Sequence, residues 1–266
     1  MDWNPELIEE VRKNRPLVHH ITNVVTVNDC ANITLSCGGA PVMADAPEEA
    51  ADMTRLASAL VLNIGTLNAD QVETMIRAGK AANEKGIPVV LDPVGAGATT
   101  FRTETAKRLL DRIRICLLKG NAGEIATLAG GSAQVRGVDS ERVEGEIRAL
   151  AAKAAREWDV TVVVTGKRDL ITDGSRWAEI SNGHPLMGSI TGTGCMGASV
   201  LAAFAAVSPD PTRAAVSALA SYGVAAEQAA MQANGPASFR TALFDALAAL
   251  KGETVRERAR VDEGRL

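Results

Sequence analysis

Residues 59–97 read ALVLNIGTLNADQVETMIRAGKAANEKGIPVVLDPVGAG, and the rhythm of this stretch decides the fold. It begins with a short unbroken apolar run, residues 59–65, that ends in a turn at Gly65. Such a run predicts a strand buried on both faces rather than one that alternates between core and water. A helix is expected over residues 68–85, closed by Gly86, and residues 88–92 form the next strand. Strand, helix and strand in this order make a right-handed crossover unit with parallel strands.

The same beat extends in both directions. Upstream, residues 27–36 read as a helix, and Pro47-Glu48-Glu49 opens another that runs towards Ala57. Downstream come a helix over 103–112, a strand over 113–118 and a helix over 121–129. A long helix follows from Ser140 to Glu157, with a strand over 160–165 behind it. The series predicts an α/β protein of three layers, a mainly parallel sheet covered by helices on both faces. After Thr165 the pattern changes to a hairpin, residues 169–172 and 176–181 joined through Asp173-Gly174. Beyond Gly192 the chain is Ala-rich and helical nearly to Leu250, with breaks at Ser208-Pro209-Asp210-Pro211 and Asn234-Gly235-Pro236. No repeat or linker interrupts it, so residues 1–266 are read as one domain. The run 253–266 mixes charges of both signs and is expected to be a solvated, frayed tail.

Composition narrows the function classes. The chain has 266 residues, 46% of them apolar, and a net charge of −4, so there is no basic footprint for nucleic acid. Its apolar runs fall short of the roughly 20 residues that span a bilayer, and the acidic, polar start does not read as a secretory signal. Four cysteines lie far apart, at Cys30, Cys37, Cys116 and Cys195, with no CxxC pair. That usage suits a reducing compartment and a cytoplasmic enzyme. Cys30, Cys37 and Cys116 are expected in the core, as free cysteine usually is. His19, His20 and His184 have no diagnostic spacing and are read as structural residues.

Parallel sheets of this class bind ligands at the carboxyl ends of their strands. Those ends carry Asn63 and Gly65, then Asp92-Pro93-Val94-Gly95-Ala96-Gly97, then Lys119-Gly120-Asn121-Ala122-Gly123-Glu124, and finally Thr165-Gly166-Lys167. Two of the loops bear carboxylates, Asp92 and Glu124, which sit sensibly beside phosphates only when a hard cation such as Mg²⁺ bridges them. The strongest local signal is Ile190-Thr191-Gly192-Thr193-Gly194-Cys195-Met196-Gly197-Ala198-Ser199, a glycine-rich turn that leads into a helix. Main-chain N–H groups at a helix start are unpaired and partly positive, so they can cradle an anion. The GxGxxG spacing of Gly192, Gly194 and Gly197 is not a dinucleotide fingerprint, because only helices follow it. Cys195 falls in the first turn, where the helix end and the loop amides favour thiolate over thiol. There it would accept a proton from a substrate hydroxyl or position that hydroxyl.

These motifs resemble those of the hydroxyethylthiazole kinase family, in the ribokinase-like superfamily. The Gly192-Thr193-Gly194-Cys195 turn looks like the superfamily's anion hole, with cysteine in place of the commoner aspartate. Residues 16–26 (PLVHHITNVVT), Ala31-Asn32, and residues 38–44 (GGAPVMA) are similar to the family's N-terminal motifs. Together with the Asp92 and Lys119 loops they extend the resemblance over nearly the whole chain. The resemblance implies a ribokinase-like fold and Mg²⁺-dependent transfer of the ATP γ-phosphoryl group to 4-methyl-5-(2-hydroxyethyl)thiazole, a step in thiamine biosynthesis or salvage. It implies catalytic roles for Cys195, Gly192 and Gly194, and contacts from Met43, Gly192 and Asn23 to the thiazole alcohol. Lys119, Thr165 and Asn121 would bind ATP, Asp92 and Glu124 would lie near Mg²⁺, and the protein would be a homotrimer with sites between subunits. The family usually has arginine where this chain has Lys119, which keeps the charge but loses the bidentate fork. The alternatives are a related enzyme (hydroxymethylpyrimidine or pyridoxal kinase, or nicotinamide-nucleotide-hydrate dehydratase) and an inactive binding protein on the same fold.

Overall fold

A computed structural model describes residues 3–131 and 140–266 of the chain. Nine strands form one sheet: β1 Leu17–Ile21, β2 Ala40–Val42, β3 Ala59–Asn63, β4 Val89–Asp92, β5 Leu117–Asn121, β6 Thr161–Thr165, β7 Asp169–Thr172, β8 Arg176–Ile180 and β9 Val261–Arg265. Their order is β2-β1-β3-β4-β5-β6-β7-β8-β9, parallel from β2 to β6 and antiparallel from there on. The helices are α1 Leu7–Asn14, α2 Val27–Cys37, α3 Ala50–Leu56, α4 Ala69–Lys85, α5 Thr100–Arg112, α6 Ala122–Leu128, α7 Ser140–Trp158, α8 Thr193–Ala205, α9 Pro211–Gln232, α10 Pro236–Ala249 and α11 Gly252–Arg258. This is the expected three-layer α/β architecture.

Each central strand feeds two cores by simple alternation. Val61, Val90, Leu117 and Val163 pack towards α1, α2, α8, α9 and α10. Leu60, Leu62, Val89, Leu91, Leu118 and Val162 pack towards α4, α5, α6 and α7. Because both faces are covered, the strands are apolar throughout, as residues 59–62 suggested. Local signals hold the crossovers. The Asn68 side chain accepts the Gln71 N–H at the start of α4, and Gly86 ends that helix with φ +79°, a left-handed conformation that costs glycine little. No helix of the described residues is long and apolar enough to cross a membrane.

Three expectations are corrected. The strand read over 113–118 starts later, at Leu117, because Ile113 still closes α5 and donates its N–H to Leu109 O. Its polar end, Lys119-Gly120-Asn121, is strand, paired with Val163 to Thr165. Strands β1 and β2 were not foreseen as strands. β2 is only three residues long and carries Pro41, which a sheet tolerates at an edge. The tail is not frayed: α11 buries Val255, and β9 pairs along β8 from Val261 opposite Ile180 to Arg265 opposite Arg176. It covers an edge that β8 would otherwise expose. Gly264 lies so close to Trp177 that a methyl there would come within 2.8 Å of the indole.

The histidines behave as structural residues. His20 Nδ1 donates to Val18 O (3.0 Å) and Nε2 accepts from the Ser199 hydroxyl (3.1 Å). His19 Nε2 donates to Ala44 O at 2.7 Å, and His184 Nδ1 accepts the Leu186 N–H at 3.2 Å. Burial pulls the His20 imidazole down from 6.5 to about 4, against smaller opposing hydrogen bonds. The unfolded chain therefore binds this proton first as the pH falls. Stability from His20 is whole above pH 6.5 and drains away towards pH 4, about 3 kcal/mol in all. Urea titrations of wild type and His20→Gln at pH 7 and pH 4 are expected to show a larger acid loss in wild type by that order. Equal losses would contradict the assignment.

Candidate active site

The alternation that builds the two cores also builds the site. Asn63, Asp92 and Lys119 each stand two residues after a side chain that packs towards α8, so they point to that same face. Register brings them side by side, with Asn63 opposite Asp92 and Lys119 one strand over. They lie at the carboxyl ends of β3, β4 and β5, beneath the first turn of α8. All three are buried, between 1% and 5% exposed.

One hydrogen-bonded chain joins them to the glycine turn. Lys119 Nζ reaches Asp92 Oδ1 at 3.2 Å. Asn63 Nδ2 donates to Asp92 Oδ2 (2.9 Å) and to Cys195 Sγ (3.3 Å). Asn23 Nδ2 donates to Asn63 Oδ1 (3.0 Å) and to the same sulfur (3.4 Å). Asn23 is held in turn by Thr26, whose N–H and hydroxyl both donate to Asn23 Oδ1 at 3.0 Å. Each amide is thus fixed in one orientation by the groups around it.

Burial dominates the electrostatics. It pushes the Asp92 carboxyl up, to about 6, helped by nearby Glu124 and opposed by Lys119 and Asn63. On Lys119 burial acts downwards, but Asp92, Glu124 and Cys195 outweigh it and raise the ammonium above its ordinary value. Asp92 is therefore a carboxylate poorly hydrated by burial, and Lys119 stays protonated. Glu124 is engaged differently. Its Oε1 accepts Gly95 N–H (2.8 Å) and its Oε2 accepts Asn121 N–H (2.7 Å), while Asn121 Oδ1 accepts Glu124 N–H (2.9 Å). This capping box starts α6 and ties the loop after β4 to the end of β5.

Gly192 caps α8 with φ +95°, and a methyl there would come within 2.6 Å of the Thr26 side chain. Only glycine satisfies both demands. The helix's hydrogen bonding starts with Met196 N–H to Gly192 O at 2.8 Å. Among the described residues, the N–H groups of Thr193, Gly194 and Cys195 have no protein acceptor. They open to solvent at exposed Gly194, which a methyl would bring within 3.2 Å of Lys119 Nζ. Unpaired amides, a helix start and an ammonium thus converge on one point. The turn is braced from outside, by Tyr222, whose hydroxyl donates to Thr193 O (3.1 Å), and by Thr193 Oγ1, which donates to Met187 O (2.9 Å).

The structure gathers Asn23, Asp92, Lys119, Gly192, Gly194 and Cys195 into this one cluster, with Glu124 linked through the Asp92 loop. Thr165 ends β6 beside Asn121 and donates only a long bond, 3.4 Å, to Gly120 O. Met43 follows β2 at the sheet edge, half-buried and outside the hydrogen-bonded chain. Asn121 has its side-chain oxygen committed to the α6 cap. Sequence reasoning gave Asn63 no role beyond its place at a strand end, and it overlooked Thr26, Tyr222 and Asp169. Asp169 accepts Gly166 N–H at 3.0 Å, and burial raises its carboxyl to about 6. Cys30 and Cys37 are buried and Cys116 half-buried, and burial lifts each thiol to about 11. An anion cradle, an ammonium, two carboxylates and a sulfur acceptor make a set suited to moving a phosphoryl group onto a hydroxyl.

Comparison with known proteins shows the family. Residues 8–253 match the model of the hydroxyethylthiazole kinase family. The hydroxyethylthiazole kinase of Methanoculleus marisnigri is 57% identical over 97% of this chain and 92% of its own length. That of Methanocella arvoryzae is 54% identical over 96% of both chains. The solved hydroxyethylthiazole kinase of Pyrococcus horikoshii superposes with a TM-score of 0.90 at 46% identity, over 97% of this chain and 98% of that one. A Staphylococcus aureus pyridoxal kinase, solved with AMP-PCP and pyridoxal, shares the fold at a TM-score of 0.57 and 15% identity, over 94% and 99% of the two chains. The chain belongs to the hydroxyethylthiazole kinase family.

Proposed function

We propose that the protein transfers the γ-phosphoryl group of ATP to the primary alcohol of 4-methyl-5-(2-hydroxyethyl)thiazole, a step of thiamine biosynthesis or salvage in the cytoplasm. The observation that carries this reading is the set of three unpaired amides at Thr193, Gly194 and Cys195, with Lys119 Nζ beside them and the Cys195 sulfur on the same turn. The alcohol oxygen bonds to Pγ as the bond from Pγ to the bridging oxygen breaks and ADP departs. The hydroxyl proton leaves towards Cys195 Sγ. Phosphoryl transfer runs through a loose transition state, so positioning and charge neutralisation matter more than early proton removal. Thr193 to Cys195 and Lys119 supply donors where negative charge spreads, on groups that need no rearrangement.

The residues present fit a magnesium ion. Asp92 is a carboxylate pushed up to about 6 by burial, against the pull of Lys119, and Glu124 lies near enough to raise it further. No group of three or more His, Cys, Asp or Glu side chains among the described residues forms an all-protein cage. That suits Mg²⁺, which keeps waters and substrate phosphates as most of its ligands. Bound there with ATP, it would neutralise phosphate charge. Glu124, with both oxygens already accepting main-chain N–H groups, would reach the ion through water. Thr165 and Asn121, at the ends of β6 and β5, would face the nucleotide, and Asn23 and Met43 the thiazole.

A homotrimer with sites between subunits is part of the proposal. Val24 and Val25, directly after Asn23, are 73% and 64% exposed. Apolar side chains so bare beside a site suit a surface that another copy covers. Sedimentation at micromolar concentration is expected to give three times the 27.8 kDa chain mass.

An assay coupled to ADP release tests the substrate. The thiazole alcohol is expected to be turned over in preference to hydroxymethylpyrimidine and pyridoxal, and preference for either competitor would overturn the assignment. Cys195→Ala should lose less than the order of 10⁴-fold of a full general-base effect, and Cys195→Asp should stay active. A folded but inactive Cys195→Asp would argue against the sulfur as proton acceptor. Lys119→Met should lower kcat by about 10²- to 10³-fold, the usual loss for one transition-state donor.

A further inference from the structure

Among the side chains of the cluster, Asn63 has a position that no other shares. It touches both the carboxylate end, at Asp92, and the sulfur, at Cys195. All four of its hydrogen-bonding positions are used. The two amide hydrogens go to Asp92 Oδ2 (2.9 Å) and Cys195 Sγ (3.3 Å), and Oδ1 accepts from Gly65 N–H (2.9 Å) and Asn23 Nδ2 (3.0 Å). A flipped amide would set its oxygen against the Asp92 carboxylate and its NH₂ against two donors. Buried at 1% exposure, that arrangement would be costly, so the orientation is locked.

We infer that Asn63 is a positioning residue for the phosphoryl transfer, acting through Cys195. An amide NH₂ can only donate, so Asn63 requires Cys195 Sγ to act as an acceptor. Asn23 makes the same demand at 3.4 Å. Two donors from the sheet side fix the side-chain direction of Cys195 and occupy the inner face of its sulfur. Cys195 itself is half-exposed, on the turn where the proposed alcohol would enter. The same residue that holds Asp92 therefore sets the angle at which the sulfur meets the hydroxyl. This inference rests on the proposed role of the turn in phosphorylating an alcohol.

A double-mutant cycle separates this role from two simpler ones. Asn63→Ala is expected to lower kcat for the thiazole alcohol about 10- to 100-fold, a coupling usual for residues in contact. The KM for ATP and the Mg²⁺ concentration at half-maximal rate should stay within about twofold of wild type. Introduced into Cys195→Ala, the same change should lower kcat less than about twofold, because the group it acts through is gone. If the penalties multiply instead, Asn63 does not act through the sulfur. If the Mg²⁺ requirement rises and the effect persists without Cys195, Asn63 serves Asp92 and the inference falls. Should Asn63→Ala fail to fold, Asn63→Ser, with a smaller polar group, carries the same cycle and melting curves report its integrity. Wild type without thiazole-dependent turnover would defeat the proposed function itself, an outcome distinct from either result of the cycle.

Discussion

Lys119 and Asp92 face each other at 3.2 Å with almost no access to water, and the rest of the site is arranged around that pair. Two opposite charges in a protein interior seldom stabilise a fold, since the loss of hydration on each rivals their mutual attraction. Here the pair is also unbalanced, because Glu124 adds a second negative group close by. The fold tolerates it at one place only, where β4 and β5 end and the positive end of α8 lies above. Asn63 takes up hydrogen-bonding capacity that Lys119 leaves on Asp92. The carboxylates thus lie on one side of the cluster and the unpaired amide donors of the turn on the other.

Two principles produce this arrangement, and both are generic. The period of two along a strand decides that Asn63, Asp92 and Lys119 share a face with Val61, Val90 and Leu117. The polarity of a helix decides that α8 offers amides rather than carbonyls to that face. Asn63, Asp92 and Lys119 therefore sit on strand ends, where neighbours in the sheet fix them. The carboxyl ends of the parallel strands become the functional end because every crossover returns its helix to the opposite end.

Much of this was legible in the sequence. Unbroken apolar runs closed by Asn63 and Asp92 located two strand ends, and the Gly192-Thr193-Gly194-Cys195 turn stood out because glycine spacing and a following helix are local signals. Other features depend on contacts that local patterns do not encode. β1 and β2 are short and carry two histidines and a proline, so they lack an apolar run. β9 looked like a solvated tail because its polar, glycine-containing sequence becomes a strand only beside β8. The start of β5 was misplaced because Ile113 and Ile115 are apolar for the sake of the helix-side core and not for the sheet. Asn63 read only as the end of a strand, and its four partners, at Asn23, Gly65, Asp92 and Cys195, come together only in three dimensions.

The inner surface of α8 has a mechanical meaning. From Met196 to Ala205 every residue is buried, and Gly197, Ala198, Ser199, Ala202 and Ala203 are small. A helix clad in methyls and hydrogens can sit low on the strands beneath it, so its bulk sets the clearance between its positive tip and the ammonium of Lys119. Methylene groups added midway along it would act as a shim, tilting that tip away from the sheet while the strand-end residues stay in place. The depth of the amide cradle is thus dictated several residues away, by small side chains along the helix.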